Sequence, residues 1–317
     1  METVSFLVPM YNVEEYLPKC LDSLLSQTYK DIEIVLVNDG SSDHSLEVAQ
    51  KYQKEHPCIK IYSYENSGIS KTRNRLLEHA AGDYVMFVDS DDFIDPQTTE
   101  VMMDALKKNS LDLVQCGFRM DYRFFTLYRP GSGHKVMDNK QALHALAAGR
   151  YLNNYPWGKL TRRSCFKDVH FPEDLNGFED TYTIFKSISN AKRVGTIPNR
   201  FYHYVQRRGS LTNRMSLDYV RLMRKAYHYQ SEYLNQLYPD EHFAFDKQYY
   251  NTDMVLIYTI LIFCPRKERV DFTPDEIHYE KLPFSPIMKA AYAAWLGLAK
   301  LKMGKSLIVH KREDEAD

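Results

Sequence analysis

An α/β fold built on a mostly parallel sheet, with a C-terminal helical extension, is predicted by three features of this 317-residue chain. Short apolar runs alternate with helical patterns through the first part of the sequence. Four of those runs end in polar or acidic residues that do not suit sheet packing. From about residue 216 onward the pattern becomes helical throughout. The boundary falls at 213, with residues 1–213 forming the sheet domain and 214–317 a helical region. The length suits one large or two modest domains with a real core.

The elements follow in order. Residues 4–9 are apolar and β-rich. Residues 14–26 carry Leu17, Leu21, Leu24 and Leu25 at helical spacing. A strand over 31–37, a helix over 41–56 and a strand over 59–64 come next. A helix over 68–80 leads through Gly82-Asp83 to the run Tyr84-Val85-Met86-Phe87-Val88, typical of a strand buried on both faces. Pro96 opens a helix to 108, at a first-turn position that tolerates proline. Beyond 110 the pattern loosens. Residues 111–120 and 123–128 read as strands, 130–133 as a loop, 139–149 and 178–190 as helices, and 192–204 as extended chain interrupted by Pro198. Helices are expected over 216–237, 243–264 and 287–303, with a solvated charged tail over 311–317.

Composition narrows the class. Apolar residues make up 44% and charged residues 26%, ordinary for a globular protein. A net charge of -1 gives no general attraction to nucleic acid. Five dispersed cysteines argue for a reducing compartment and against a disulfide framework or zinc site. The N-terminus lacks a signal-peptide pattern, and the best apolar run, residues 254–264, is about half the roughly 20 residues needed to span a bilayer. A cytoplasmic protein is expected.

The chemistry concentrates at strand ends. Val8-Pro9-Met10-Tyr11-Asn12 follows the first strand, and Asn38-Asp39-Gly40-Ser41-Ser42-Asp43 the second. Residues 66–74, from Asn66 to Asn74, follow the third, and Asp89-Ser90-Asp91-Asp92 the fourth. In a parallel sheet these ends share one edge and converge on one crevice. Three carboxylates in four residues repel one another. Either a hard divalent cation bridging a phosphate relieves them, or the segment is a solvated acidic turn before the next helix. Tyr11 offers an aromatic face to a base, and Asp39 an acceptor for a base N–H. Arg73 offers a planar fork for a base carbonyl or a phosphate. Ser41, Ser42 and Asp43 also suit capping of the following helix.

Those four motifs, in that order, closely resemble the family 2 inverting glycosyltransferases of GT-A fold, which include many bacterial envelope and capsule polysaccharide transferases. The resemblance spans roughly residues 3–210. It implies a nucleotide-sugar donor, a UDP-sugar above all, and a divalent metal, Mn or Mg. It places Pro9, Tyr11, Asn12 and Asp39 around the nucleotide, with Asn66 and Arg73 nearby, Asp89 toward the ribose and Asp91 on the metal. Phe178-Glu179-Asp180-Thr181 resembles the family's Glu-Asp motif, making Asp180 the general base and Glu179 a supporting acceptor contact. An acidic first helical turn would read the same way. Trp157, in Tyr155-Pro156-Trp157-Gly158-Lys159-Leu160, is either an acceptor platform or a core residue. In the segment 202–210, Arg207 and Ser210 are expected to clamp the diphosphate, although Val205 stands where many relatives have arginine. His203 is either a third metal ligand or a structural strand residue.

The implied activity is inverting transfer of a hexosyl or N-acetylhexosaminyl group to a glycan or lipid-linked acceptor. A nucleotidyltransferase and a non-catalytic nucleotide-sugar-binding subunit are the alternatives. The helical region, rich in lysine near its end, is a candidate for acceptor, peripheral membrane or homo-oligomer contacts.

Overall fold

The computed structural model describes residues 2–128, 132–175, 177–206 and 216–310. Two compact units divide the chain, Met1–Leu146 with Arg150–Arg207, and Ala147–Gly149 with Arg208–Asp317.

The first unit is an α/β sheet. Strands β1 (Val4–Met10), β2 (Ile32–Asp39), β3 (Ile59–Tyr64) and β4 (Tyr84–Phe87) run parallel in the order β3-β2-β1-β4. β1 is buried along its whole length, as its run of Val, Phe, Leu and Met requires between two layers of helices. Parallel neighbours need crossovers, supplied here by α1 (Leu17–Leu25), α2 (Ser45–Glu55) and α3 (Ile69–His79). α1 turns Leu17, Cys20, Leu21 and Leu24 into the core, where each fully buried aliphatic side chain contributes roughly 1.5–3 kcal/mol. α4 (Thr98–Asn109) buries Met102, Met103 and Leu106 in the same core.

The far side of the sheet is more mixed. β10 (Lys159–Arg162) lies antiparallel between β4 and β6 (Leu113–Gln115), followed by β11 (Arg193–Thr196) and β9 (Lys135–Asp138). A second sheet runs in the order β5 (Phe93–Ile94), β12 (Tyr202–Val205), β7 (Phe118–Asp121), β8 (Thr126–Tyr128). The expected strand over 111–120 is therefore two strands in different sheets, and so is the extended stretch over 192–204. The two crossings lie side by side. The Gly117 N–H donates to the Asn199 carbonyl at 2.7 Å, and a Cβ at Gly117 would stand 3.1 Å from the Arg200 side chain. Pro198, which cannot extend a ladder, marks the second crossing. β9 and β10 were not expected from the sequence, because strands of four residues carry too little periodicity.

At the amino edge, an acid is held for structure. Glu33 of β2 accepts from Ser5 Oγ at 2.5 Å, Lys60 Nζ at 2.6 Å and the Ala81 N–H at 2.6 Å. Although burial opposes it, the bonds from Lys60, Ser5 and Ala81 hold the Glu33 carboxyl below its ordinary range.

The second unit is built on α7 (Leu217–Leu237), α8 (Asp246–Ile262) and α9 (Ser285–Met303), where helical spacing predicts them. Ser216 caps α7, accepting from the Tyr219 N–H at 3.1 Å. Arg224 of α7 lies 3.3 Å from Asp253 of α8 and 3.1 Å from Asp275, and the Tyr292 hydroxyl of α9 donates to Asp253 at 3.2 Å. This buried polar group ties three helices together. A short parallel ladder, β13 (Val270–Phe272) with β14 (Leu307–Val309), closes the unit. Among the described residues, no helix is long and apolar enough to cross a membrane.

Candidate active site

The strand order β3-β2-β1-β4 reverses direction at β1, so a crevice is expected beyond the carboxyl ends of β1 and β4. The last β1–β4 pair joins Leu7 to Phe87. Pro9 stands two residues further on, where the missing N–H costs no ladder bond to β4. Tyr11 then leaves the sheet half exposed, at 50%. Asn12 adopts a left-handed backbone (φ 51°), and its Oδ1 accepts from the Ser42 N–H at 2.8 Å. Ser41 and Asp43 bond the same neighbourhood: Ser41 Oγ accepts from the Asn12 N–H, and Asp43 Oδ1 from the Ser45 N–H. These loop residues hold one strand end against the next.

Asp39, at the end of β2, faces the loop after β3. Its Oδ1 accepts from the Ser67 N–H at 2.9 Å and its Oδ2 from the Gly68 N–H at 2.9 Å. Asn66 Nδ2 donates to the Asp39 carbonyl at 3.0 Å. Gly40 permits this approach: it has φ +71°, and a Cβ there would stand 2.8 Å from the Asn66 nitrogen.

Two arginines on α3 part company. Arg75 Nη1 donates to Ser67 Oγ at 2.9 Å and stands 3.8 Å from Asp39 Oδ1, with its guanidinium 3.9 Å above the Tyr64 ring. Arg73 is buried on the other side, bonded to Glu179 Oε1 and 3.5 Å from Asp89 Oδ1. Residues two apart on a helix do not share a face. The expectation that Arg73 joins Asp39 beside a base is therefore corrected. Arg75 lies beside Asp39 instead, and Arg73 sits between Glu179 and Asp89.

The same helix positions the far side of the crevice. Asn74 Nδ2 donates to the Phe171 carbonyl at 2.9 Å, and its Oδ1 accepts from the Phe171 N–H at 2.8 Å. The chain then turns through Gly177 (φ 125°) and Phe178 (φ 60°) into α6 (Glu179–Asn190). A left-handed phenylalanine costs on the order of 1–3 kcal/mol and persists only where its surroundings hold it. Its effect is to aim the first residues of α6, Glu179 and Asp180, at Arg73. Glu179, expected from the resemblance to touch the acceptor, is buried with its carboxylate on Arg73. Burial, then the neighbouring Glu179, push the Asp180 carboxyl up to about 6 against the pull of Arg73.

Asp89 and Asp91 stay partly exposed, whereas Asp92 is buried. Burial pushes Asp89 up to about 6, with Arg73 opposing and Asp91 adding to the rise. Asp92 accepts from the Tyr202 hydroxyl at 2.7 Å and the Val205 N–H at 2.8 Å. Tyr202 in turn accepts from the Asp89 N–H at 3.2 Å. Tyr202 and Asp92 thus fix the acidic turn to β12, a role that sequence reasoning missed. The only signal was an aromatic residue just before His203.

His203 and Trp157, each open to two readings in the sequence, are both enclosed by neighbours. His203 donates or accepts through both ring nitrogens, to Asp121 Oδ2 at 2.6 Å and Asp95 Oδ1 at 3.0 Å, and its ring stacks 3.8 Å from Phe93. Both ring nitrogens are thus engaged by carboxylates, as a structural strand residue requires. Trp157 is 5% exposed, stacked between Tyr155 at 4.5 Å and Tyr202 at 4.4 Å. Both faces of the indole are covered, so it offers no platform to a sugar. Its neighbour Lys159 is buried, donating to Asn153 Oδ1 at 2.7 Å and the Tyr155 carbonyl, and burial brings its ammonium down to about 7. Arg207 and Ser210 lie outside the described residues.

The architecture is GT-A-like. Residues 1–349 of TarS from Staphylococcus aureus, solved in complex with UDP-GlcNAc, superpose with a TM-score of 0.63 at 19% identity, covering 96% of this chain and 90% of that one. The mannosyltransferase PcManGT of Pyrobaculum calidifontis, solved with GDP-Man and Mn2+, gives 0.54 at 16% identity, over 95% and 86%. Residues 5–172, more than half of the sequence, match Glycosyl transferase family 2, and the chain belongs to that family. EpsJ of Bacillus subtilis, an uncharacterized glycosyltransferase, is 35% identical over 215 residues, 66% of this chain and 62% of its own. Glycosyltransferase GlyA of Streptococcus pneumoniae is 34% identical over 220 residues, 67% of this chain and 32% of its own. The chain spans less than two thirds of the length of these relatives.

Proposed function

We propose that this protein transfers a sugar, with inversion, from a UDP-sugar to a glycan or lipid-linked acceptor in cell-envelope polysaccharide synthesis. The observation that carries the reading is the junction at Arg73. One buried guanidinium bonds Glu179 beside Asp180 and reaches Asp89 at the head of the acidic turn. A group that must leave and a group that must deprotonate an attacker are thereby brought to one crevice. The relatives support the class of substrate. TarS is a poly(ribitol-phosphate) beta-N-acetylglucosaminyltransferase, 28% identical over 217 residues, and GgaB is a minor teichoic acid biosynthesis protein, 29% identical over 213.

In this reading residues 1–213 form the catalytic domain and 214–317 the region for acceptor, membrane or subunit contacts. Tyr11 stacks on the base, while Asp39 and Arg75 shape the loop against it. Asp180 takes the proton from the acceptor hydroxyl. The freed oxygen attacks the anomeric carbon, the bond from that carbon to the diphosphate oxygen breaks, and the configuration inverts. Against burial and Glu179, the ionised Asp180 carboxylate is favoured by Arg73, by the Thr181 N–H and by the helix dipole.

Among the described residues no cluster of three or more His, Cys, Asp or Glu is set to hold a metal by itself, so a divalent cation would rest on one or two carboxylates and on phosphate oxygens of the donor. Arg73 has Glu179, Asp89 and Asp180 about it, and burial, with Asp91 and Glu179 adding to it, raises Asp89 to about 6 against the pull of Arg73. Asp91 and Asp89 would hold Mn2+ or Mg2+ together with phosphate oxygens, since such sites use one or two carboxylates. The cation would neutralise charge on the leaving diphosphate.

The test is product analysis with purified protein, Mn2+ and a panel of UDP-sugars. UDP release, rising with acceptor and giving the inverted anomer by NMR, is expected. Pyrophosphate from a nucleoside triphosphate, with no UDP from any donor, would instead identify a nucleotidyltransferase.

A further inference from the structure

We propose that the outer face of α9, with the adjoining end of α8, docks on an anionic lipid surface. α9 is apolar on both sides. Inward, Met288, Tyr292, Leu296, Ala299 and Met303 pack against the core of the helical unit. Outward, Ile287 is 70% exposed, Leu298 54% and Leu301 83%. A helix of a globular unit normally turns charged residues to that side. Phe284, just before the helix, is 79% exposed and held in a left-handed backbone (φ 57°), a conformation that keeps its ring in solvent at a cost. The patch continues onto α8. Tyr258 lies 6.2 Å from Trp295 and 6.2 Å from Phe263, and Ile262 and Phe263 are themselves exposed. Patches of this kind mark docking surfaces.

Charge selects the occupant. Between Ser285 and His310 the sequence holds Lys289, Lys300, Lys302 and Lys305 and not one Asp or Glu. Lys302 is spent on the carbonyls of Ile260, Leu261 and Cys264, closing the end of α8. Lys289, Lys300 and Lys305 are exposed, as are Arg266, Lys267 and Arg269, with the single acid Glu268 among them, shortly after Phe263. A second copy docked α9 against α9 would meet only lysines and no acid on the facing helix. An anionic bilayer supplies both needs. Apolar side chains enter the boundary of the acyl chains while lysines reach phosphate headgroups.

Sedimentation of the whole chain with vesicles tests this, and does so independently of transferase activity. Binding is expected to phosphatidylcholine vesicles containing phosphatidylglycerol, falling with salt, and to be weak with phosphatidylcholine alone. Leu298→Ser with Leu301→Ser should weaken partitioning roughly tenfold or more, with unchanged melting because both side chains face solvent. Lys289→Glu with Lys300→Glu should abolish the preference for anionic lipid. A chain that stays in the supernatant with both vesicles overturns the proposal. So does equal binding of the parent and the leucine variant. Concentration-dependent dimerisation lost in the leucine variant, without vesicle binding, would assign the face to a second copy.

Discussion

Arg73 and Glu179, 106 residues apart in sequence, form a buried ion pair that joins the helix after β3 to the start of α6. Asn74, the next residue, fastens the segment leading to α6 through both of its amide atoms and Phe171. One turn of α3 therefore sets the distance between the acidic turn after β4 and the carboxylate of Asp180.

Breaking that pair from one side should be costly. Arg73→Met leaves buried Glu179 and half-buried Asp89 without a counter-charge, and a loss of about 3–5 kcal/mol is expected. Urea denaturation measures it. The double variant with Glu179→Gln should recover part of the loss, because the stranded charge is then removed. Additive losses would show that the two side chains do not interact.

Asp180 should trade stability for activity. Its carboxyl is raised from 3.8 to about 6, so the folded state binds the proton more tightly than the unfolded chain does. Stability from this group is present below about pH 4 and lost as pH rises through 6. Asp180→Asn removes the buried charge and should gain about 1–3 kcal/mol at pH 7, while transfer falls to background and UDP binding survives. In the parent, kcat should rise with pH through about 6, where the base ionises. Near-normal turnover in Asp180→Asn, or a rate independent of pH between 5 and 7, would remove the base assignment.

Asp91→Ala should weaken Mn2+-dependent UDP binding by at least about tenfold by calorimetry, since it deletes one of few carboxylates available to the cation. His203→Gln is the control. Both nitrogens of that ring serve Asp95 and Asp121, so metal-dependent affinity should be unchanged while the melting temperature drops.

Trp157→Ala should act on the fold. The indole fills a stack with Tyr155 and Tyr202, and a loss of about 3–5 kcal/mol is expected. Because Tyr202 also holds Asp92, activity should fall through kcat with little change in acceptor KM. A large rise in acceptor KM at unaltered stability would restore the indole as a sugar contact.

The order of strands and helices through β4, the helix after Pro96, the three long C-terminal helices, and the edge on which the polar segments gather were legible in the sequence, whereas the two-residue strand β5 was not. These features depend on local periodicity, and a parallel sheet sends every strand end to one side. The placement of Asp39, Asp89 and Asp91 near that edge follows from the same rule, whereas Asp180 is brought toward Arg73 by contacts between remote segments.

What the chain could not reveal by itself depends on partners distant along it. Arg73 and Arg75 look alike in a sequence, and only the rotation of α3 against β2 and α6 sends one to Glu179 and the other to Ser67 and Asp39. Trp157 and His203 are polar-tipped aromatics whose character depends on whether neighbours cover their faces and nitrogens. Gly117 and Pro198 bend two strands from one sheet into another because each crossing supports the other. Local pattern therefore determined where the site lies, and packing between remote segments decided which side chains enter it.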